Sequence, residues 1–235
     1  LTSFGPEIRL DGGAQLHTKV SYSLYRDQYV LDQRNSTKRD QDQTTVEQFG
    51  QLEGQYTKLV NDEHLVSVGL QCRYEQLESD RLEGGSADRV QAALFVQDEW
   101  TVSETPTVVI APGARVDVDS RLGVHPTPKV SLRYDPDSKW VLRLSYGMGF
   151  RAPAFKELLL RFENPDRGYV VEGNQDLQPE TSHSGNVSAE YAPTKALWCS
   201  LNLFRNDIDN LITTESLETA STEPLRFSYT NLAEA

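Results

Sequence analysis

The residues best equipped for chemistry lie between 148 and 181, where Arg151, Lys156, Arg161 and Arg167 are interleaved with Phe162 and Tyr169. A guanidinium fork binds oxyanions through two parallel hydrogen bonds, and aromatic faces add stacking. The combination suits holding an anionic ligand, with Arg161, Phe162, Arg167 and Tyr169 as its contacts; solvation of an ordinary polar loop is the other use of the same residues. Asp117 and Asp119, two apart on one strand face, read either as a cation pair or as polar lining. The run Asn206–Asn210 has the acids of a calcium loop but lacks the glycine at position six and the glutamate at twelve. His17, His64, His125 and His183 are far apart and show no metal-ligand spacing. Cys72 and Cys199 are too few for a disulfide framework and are expected as small apolar packers. No nucleophile elbow, HExxH or phosphate loop is present. An enzyme is not expected, nor a cofactor or a metal site.

The net charge of −12 disfavours nucleic acid, which selects clustered lysine and arginine. Mean hydropathy is −0.54, and no apolar run approaches the roughly 18 residues of a spanning helix. A membrane β-strand needs only about 9–11 residues with one apolar face, so low hydropathy is compatible with a barrel around a wet interior. The chain opens Leu1-Thr2-Ser3-Phe4-Gly5, with neither a basic nor an apolar leader region. On an outer-membrane reading it is therefore expected to be an internal fragment.

The elements that must position these residues read as strands throughout, with no helix. Short turn signals fall at 11–13, 61–63, 104–106, 135–138 and 192–195, and longer polar segments at about 27–43, 80–88, 119–127, 148–181 and 213–224. Short and long connections alternate along the whole chain, as periplasmic turns and extracellular loops do in outer-membrane barrels. Between them the side chains alternate. Trp140, Leu142, Leu144 and Tyr146 oppose Arg143 and Ser145; Val130, Leu132 and Tyr134 oppose Lys129, Ser131 and Arg133; Leu197, Cys199, Leu201 and Leu203 oppose Trp198, Ser200 and Asn202. A soluble sandwich would alternate in the same way. Aromatic residues near strand ends (Tyr74, Trp100, Tyr134, Trp140, Tyr146, Tyr191) favour a membrane girdle. About eleven strands are expected, at 3–10, 14–26, 44–60, 63–80, 88–103, 107–119, 127–135, 138–147, 182–192, 195–212 and 225–235. That is half of a 22-strand barrel of the plugged-transporter type.

Several stretches carry a resemblance to a known family. Gly149-Phe150-Arg151-Ala152-Pro153 with Lys156-Glu157-Leu158 is followed by Gly173-Asn174, Leu177, Pro179, Glu180 and Ser182. Phe204–Ile208 with Leu211-Ile212, and Tyr229-Thr230-Asn231 with Ala233, come after; Phe95–Trp100 and Pro112–Asp117 come before. In order and spacing these resemble the barrel of TonB-dependent outer-membrane receptors. The resemblance implies an all-β, antiparallel transmembrane barrel segment over 1–235, with the plug domain and C-terminal strands absent and the long loop 148–181 facing outward. It implies active uptake of a scarce nutrient, a ferric siderophore or cobalamin, across the outer membrane of a Gram-negative bacterium. The TonB complex would act through the plug, with membrane lipid as the other partner.

Phe150, Arg151, Pro153 and Glu157 are expected to fix the strand exit, and Asn174, Leu177, Pro179 and Glu180 to close the loop. Heme receptors of the family carry a histidine between two such boxes, but residues 154–173 contain none, and His183 lies just beyond. Tyr169 is the remaining candidate for iron. Heme stays as an alternative, alongside a passive porin and a soluble β-sandwich binding module. Half a barrel leaves two strand edges unpaired, so the isolated chain is expected to associate edge to edge. Light scattering in detergent-free buffer checks this, and a monodisperse monomer would refute it.

Overall fold

The computed structural model describes residues 1–32, 41–164, 167–217 and 224–234. Parts of the polar segments 27–43, 148–181 and 213–224, and the last residue of the expected strand 225–235, lie outside the described residues. The strands are β1 (Thr2–Phe4), β2 (Glu7–Arg9), β3 (Gln15–Leu31), β4 (Gln41–Val60), β5 (His64–Ser79), β6 (Ser86–Glu104), β7 (Thr107–Asp119), β8 (Gly123–Asp137) and β9 (Trp140–Arg151). After helix α1 (Phe155–Leu159) come β10 (Arg161–Asn164), β11 (Tyr169–Glu172), β12 (Glu180–Thr194), β13 (Leu197–Leu217) and β14 (Leu225–Glu234).

All fourteen strands form one sheet, in the order β1-β3-β4-β5-β6-β7-β8-β9-β12-β13-β14-β11-β10, with β2 also on β3. β1 and β2 are two pieces of one edge strand, broken at Gly5-Pro6, and β10 and β11 belong to the loop after β9. That leaves eleven strands in an antiparallel wall, the number read from the periodicity. Among the described residues the wall does not close on itself.

Register explains why alternation worked. Val20, Leu52, Cys72, Ala92, Val118 and Val124 face one another in a row across six strands. Trp100, Ile110, Leu132, Leu144, Val187 and Leu203 form a second row across six. Most of these outward side chains are exposed, Leu203 by 61% and Val124 by 62%, and Ile110 and Leu132 are half-buried. Burying such a side chain is worth about 1.5–3 kcal/mol, so a row of them left bare in water would be costly; lipid removes that cost. A sandwich would bury the row against a second sheet. None exists among the described residues, so the soluble-sandwich alternative falls. One residue along, the other face reads Ser21, Gln51, Arg73, Gln91 and Asp119.

The outward aromatics mark two levels. At one end Trp140 stacks on Tyr191 at 4.3 Å and His64 on Trp100 at 5.4 Å. Six residues beyond Trp140, about 20 Å along the strand, the Tyr146 hydroxyl meets His183 Nδ1 at 2.7 Å. Tyr22 and Tyr74 bond Gln48 and Gln76 on the same face.

The structure corrects several expectations. The segment 119–127 is mostly strand, and the β7–β8 connection is only residues 120–122, so loop length does not alternate throughout. Pro126 and Pro128 disguise this strand. β8 pairs with β7 from Gly123 onward, but its ladder to β9 starts only at Lys129–Gly147, since the prolines bring no N–H to continue it. Strands also extend further than expected into 27–43, 80–88, 148–181 and 213–224. Cys72 and Cys199 are exposed rather than packed: each shares the outward apolar face of the wall, where no other element of the described residues covers it.

The only apolar core among the described residues sits where the loops gather. Leu82, Ala87, Phe155, Leu158, Leu159 and Leu177 are buried together, with Leu77, Ile212 and Tyr229 against them.

Candidate functional site

Residues 152–164 and 167–179 fold back onto the β5–β6 hairpin and the β13–β14 pair. Pro153 ends β9 and is fully buried, and Ala154 enters α1 with its N–H donated to Glu157 Oε2 at 2.7 Å. Helix α1, a single turn, buries Phe155, Leu158 and Leu159. Main-chain bonds then stitch the loop to the hairpin tip, from Glu83 N to Leu159 O (2.8 Å) and from Arg161 N to Arg81 O (2.6 Å).

Arg151 joins four segments. It forms a two-bond pair with Glu180, at 2.7 Å for each bond, and reaches Glu157 at 3.1 Å. Glu180 in turn accepts the Ile212 N–H at 2.8 Å, so one guanidinium ties the end of β9, α1, the start of β12 and β13. Phe150 stacks on His125 at 3.9 Å, in the gap where the β8–β9 ladder has stopped. Asn174 donates to Tyr229 O at 2.9 Å, and Leu177 is 3% exposed in the small core. Pro179 leads directly into β12. Asn231 closes the other side, donating to Gln178 O at 3.0 Å and Asn210 O at 2.7 Å and accepting the Gln178 N–H. Segments that are scattered in sequence thus bond one another at one rim of the wall.

The four proposed ligand contacts divide. Arg161 and Arg167 are exposed, the Arg161 side chain by 68% with Glu163 at 3.8 Å. Phe162 and Tyr169 are half-buried and 6.1 Å apart; Tyr169 also meets Phe227, and Phe162 meets Tyr29. Arg81 lies over the Tyr29 ring at 4.4 Å and the Phe162 ring at 4.9 Å, and its Nε donates to Gln43 at 2.6 Å. Its Nη2 is buried without a hydrogen-bond partner, and the ring faces compensate its charge. Sequence reasoning missed Arg81 and Tyr29, which lie 81 and 133 positions from Phe162 with no local pattern to link them.

β11 pairs in parallel with β14, from Tyr169–Leu225 to Glu172–Ser228, reinforced by the Arg226–Glu172 ion pair. His183 occupies the outward face beside Tyr146, away from the lumen side on which Arg151 lies.

On the inward face the wall carries a polar network. Arg115 holds Asp117 through two oxygens and Gln71 at 2.7 Å, and Gln71 bonds Glu53 at 2.6 Å. Arg89, 7% exposed, donates to Glu75 at 2.6 Å and to Pro153 O at 2.9 Å, with Asp119 at 3.8 Å. Asp117 and Asp119 therefore face arginines, the arrangement of a polar lining rather than of a cation pair. Among the described residues no group of three or more His, Cys, Asp or Glu side chains could hold a metal ion.

Residues 3–235 match the family described as TonB dependent receptor-like, beta-barrel. The chain is similar to the iron-regulated outer membrane virulence protein of Vibrio cholerae serotype O1, 33% identical over 156 residues, 64% of this chain and 24% of that protein. It is also similar to hemoglobin and hemoglobin-haptoglobin-binding protein C of Haemophilus influenzae, 32% identical over 88 residues, 37% of this chain and 8% of that protein. Its fold matches the siderophore receptor PirA from Pseudomonas aeruginosa with a TM-score of 0.83 at 16% identity, over 99% of this chain and 43% of that one. The chain thus spans about a quarter of the first relative and under half of the solved receptor.

Proposed function

The chain belongs to the TonB-dependent receptor β-barrel family, a family of receptors and not of enzymes, and we propose that it forms wall and mouth of an importer. The importer would carry a ferric siderophore, or a cobalamin-type nutrient, across the outer membrane of a Gram-negative bacterium. The observation that supports this reading is the loop after β9, described at 152–164 and 167–179, which leaves Arg161 and Arg167 exposed and groups the rings of Phe162 and Tyr169 under the Arg81 guanidinium at the rim of the wall. Ferric chelates present oxyanions and flat conjugated groups, which match guanidinium and aromatic contacts. The energy-coupling complex would act through a plug seated in that lumen. Membership of a receptor barrel family, and not of a porin family, favours the importer over the passive porin.

Heme is less well served. Residues 154–173 contain no histidine, His183 faces outward, and Tyr169 is packed between Phe162 and Phe227.

Titration of the full-length receptor in detergent with ferric siderophores, cobalamin and heme, followed by tryptophan fluorescence, tests the proposal. One tight binder is expected, weakened roughly tenfold or more in the Arg161→Ala/Tyr169→Ala variant, since losing one charge-assisted contact alone is worth about that factor. Tight binding of heme with no response to the chelates would overturn the siderophore reading, and silence across the panel would point to another nutrient.

A further inference from the structure

The stretch Phe95–Trp100, which carries part of the family resemblance, takes no part in the rim. Its alternate residues Val96, Asp98 and Trp100 share the outward face, as Lys58 does on β4 and His64 on β5. The ladders set Lys58 opposite Val66 and Val66 opposite Asp98, with His64 opposite Trp100 two residues nearer the turn 61–63. Lysine and aspartate thus stand about 10 Å apart, two inter-strand spacings. The next outward row away from the turn is Tyr56, Val68 and Val96. β4, β5 and β6 are each paired on both sides, so this part of the face is complete within the chain.

The carboxylate is held in place. Asp98 Oδ2 meets His64 Nδ1 at 2.7 Å, and the His64 ring stacks on Trp100 at 5.4 Å and 14°. His64 and Asp98 are half-buried, and Lys58 and Trp100 are exposed. A charge on the lipid side of a barrel is unfavourable at the bilayer midplane and close to neutral at an interface. Trp100 marks the interface. The turn 61–63 has three residues and lies at the end away from the long loop, where short turns face the periplasm. This patch therefore meets the head groups of the inner leaflet.

We propose that Lys58, Asp98 and Trp100 seat one phospholipid whose head group carries a phosphate and a primary ammonium, as phosphatidylethanolamine does. The phosphate lies against Lys58 and the ammonium donates to Asp98, two charge-assisted contacts of opposite sense. Trp100 covers the boundary between head group and acyl chains. His64 is a positioning residue, which fixes the carboxylate from the side of the turn. A choline head group has no N–H to donate and a glycerol head group has no positive charge, so the seat distinguishes the three. The proposal rests on the barrel's place in the outer membrane and not on the importer reading.

The test uses the full-length receptor in lipid discs that hold equal amounts of phosphatidylethanolamine, phosphatidylcholine and phosphatidylglycerol with matched acyl chains. Native mass spectrometry counts the lipids retained on the released protein. Retention of phosphatidylethanolamine is expected to exceed that of each other lipid roughly tenfold, the factor one charge-assisted contact supplies. Asp98→Asn is expected to abolish the preference, and Lys58→Gln to lower all three alike, since each lipid has a phosphate. Phosphatidylethanolamine retained no better than the other two, or a preference that survives Asp98→Asn, overturns the proposal. Each variant is scored only if its heat-modifiable migration equals that of the parent. Should Asp98→Asn not fold, the unaltered receptor is treated in the same discs with a carbodiimide, which joins a carboxylate to a primary amine as an amide. Peptide mapping is then expected to find the phospholipid on Asp98, and an unmodified Asp98 overturns the proposal. No nutrient is present, so failure here leaves the fluorescence result standing.

Discussion

Replacing Arg89 by methionine is expected to destabilise the folded receptor by about 3 kcal/mol, the lower end of what breaking a buried ion pair costs. The low end applies because Glu75 is 22% exposed and water can partly repair its loss. Asp119 has no such recourse: its side chain is 1% exposed. Its Oδ1 accepts the Arg121 and Leu122 N–H groups, its Oδ2 accepts Gln91, and Arg89 is the nearest full positive charge. Methionine preserves apolar bulk over the Phe155 ring, which lies 5.0 Å from the guanidinium carbon, so most of the loss would be electrostatic. The Pro153 carbonyl would also lose its partner, loosening the point where the loop leaves β9. Urea unfolding of the full-length receptor in lipid vesicles measures the effect. Adding Asp119→Asn should recover more than a third of the loss, because neighbours that share a charge do not behave additively. A single variant within about 0.5 kcal/mol of wild type would mean that this network is solvated rather than buried.

The wall was legible because its physics is local. A period of two with one apolar face leaves its mark in every strand, and the eleven wall strands follow from it. Legibility ended where the signal no longer lies in neighbouring residues. His125 and Thr127 alternate with Val124, Pro126 and Pro128 as a strand should, yet two prolines in three positions imitate a loop. Helix α1 is one turn, and β10 and β11 have four residues each, too few for any period to emerge. The motif residues themselves were visible, but their partners were not. That Arg151 would bond Glu180 and Glu157, or Asn231 would bond Gln178, depends on bringing the ends of β9, β12 and β14 to one rim. Arg73 and Arg89 fall on two of the expected strands, 63–80 and 88–103, but how they are paired depends on the register between β5, β6 and β7.

Gly173 makes the same point at one atom. Its conformation is open to any residue, so sequence rules about left-handed glycine do not apply; space is what it lacks. A β-carbon built there would lie 2.4 Å from Leu159 N, 2.5 Å from Leu158 C and 2.6 Å from Leu158 O. All three are backbone atoms of α1 and cannot rotate away. The close approach lets Gly173 N donate to Leu160 O at 2.6 Å and Asn174 N to Glu157 O at 2.8 Å, which dock the second motif box on the helix. Gly173→Ala is therefore expected to cost about 3 kcal/mol, the upper part of the range for overpacking, because α1 must move as a body. The loss should be local. Limited proteolysis within 152–179 should accelerate and chelate binding should fall, while the wall keeps its heat-modifiable migration. Gly185→Ala, with nothing within 4 Å of the added carbon, supplies the control at under about 0.5 kcal/mol. If the two variants resist protease equally, the loop is not held by this contact, and the mouth that the transport proposal depends on is not a fixed structure.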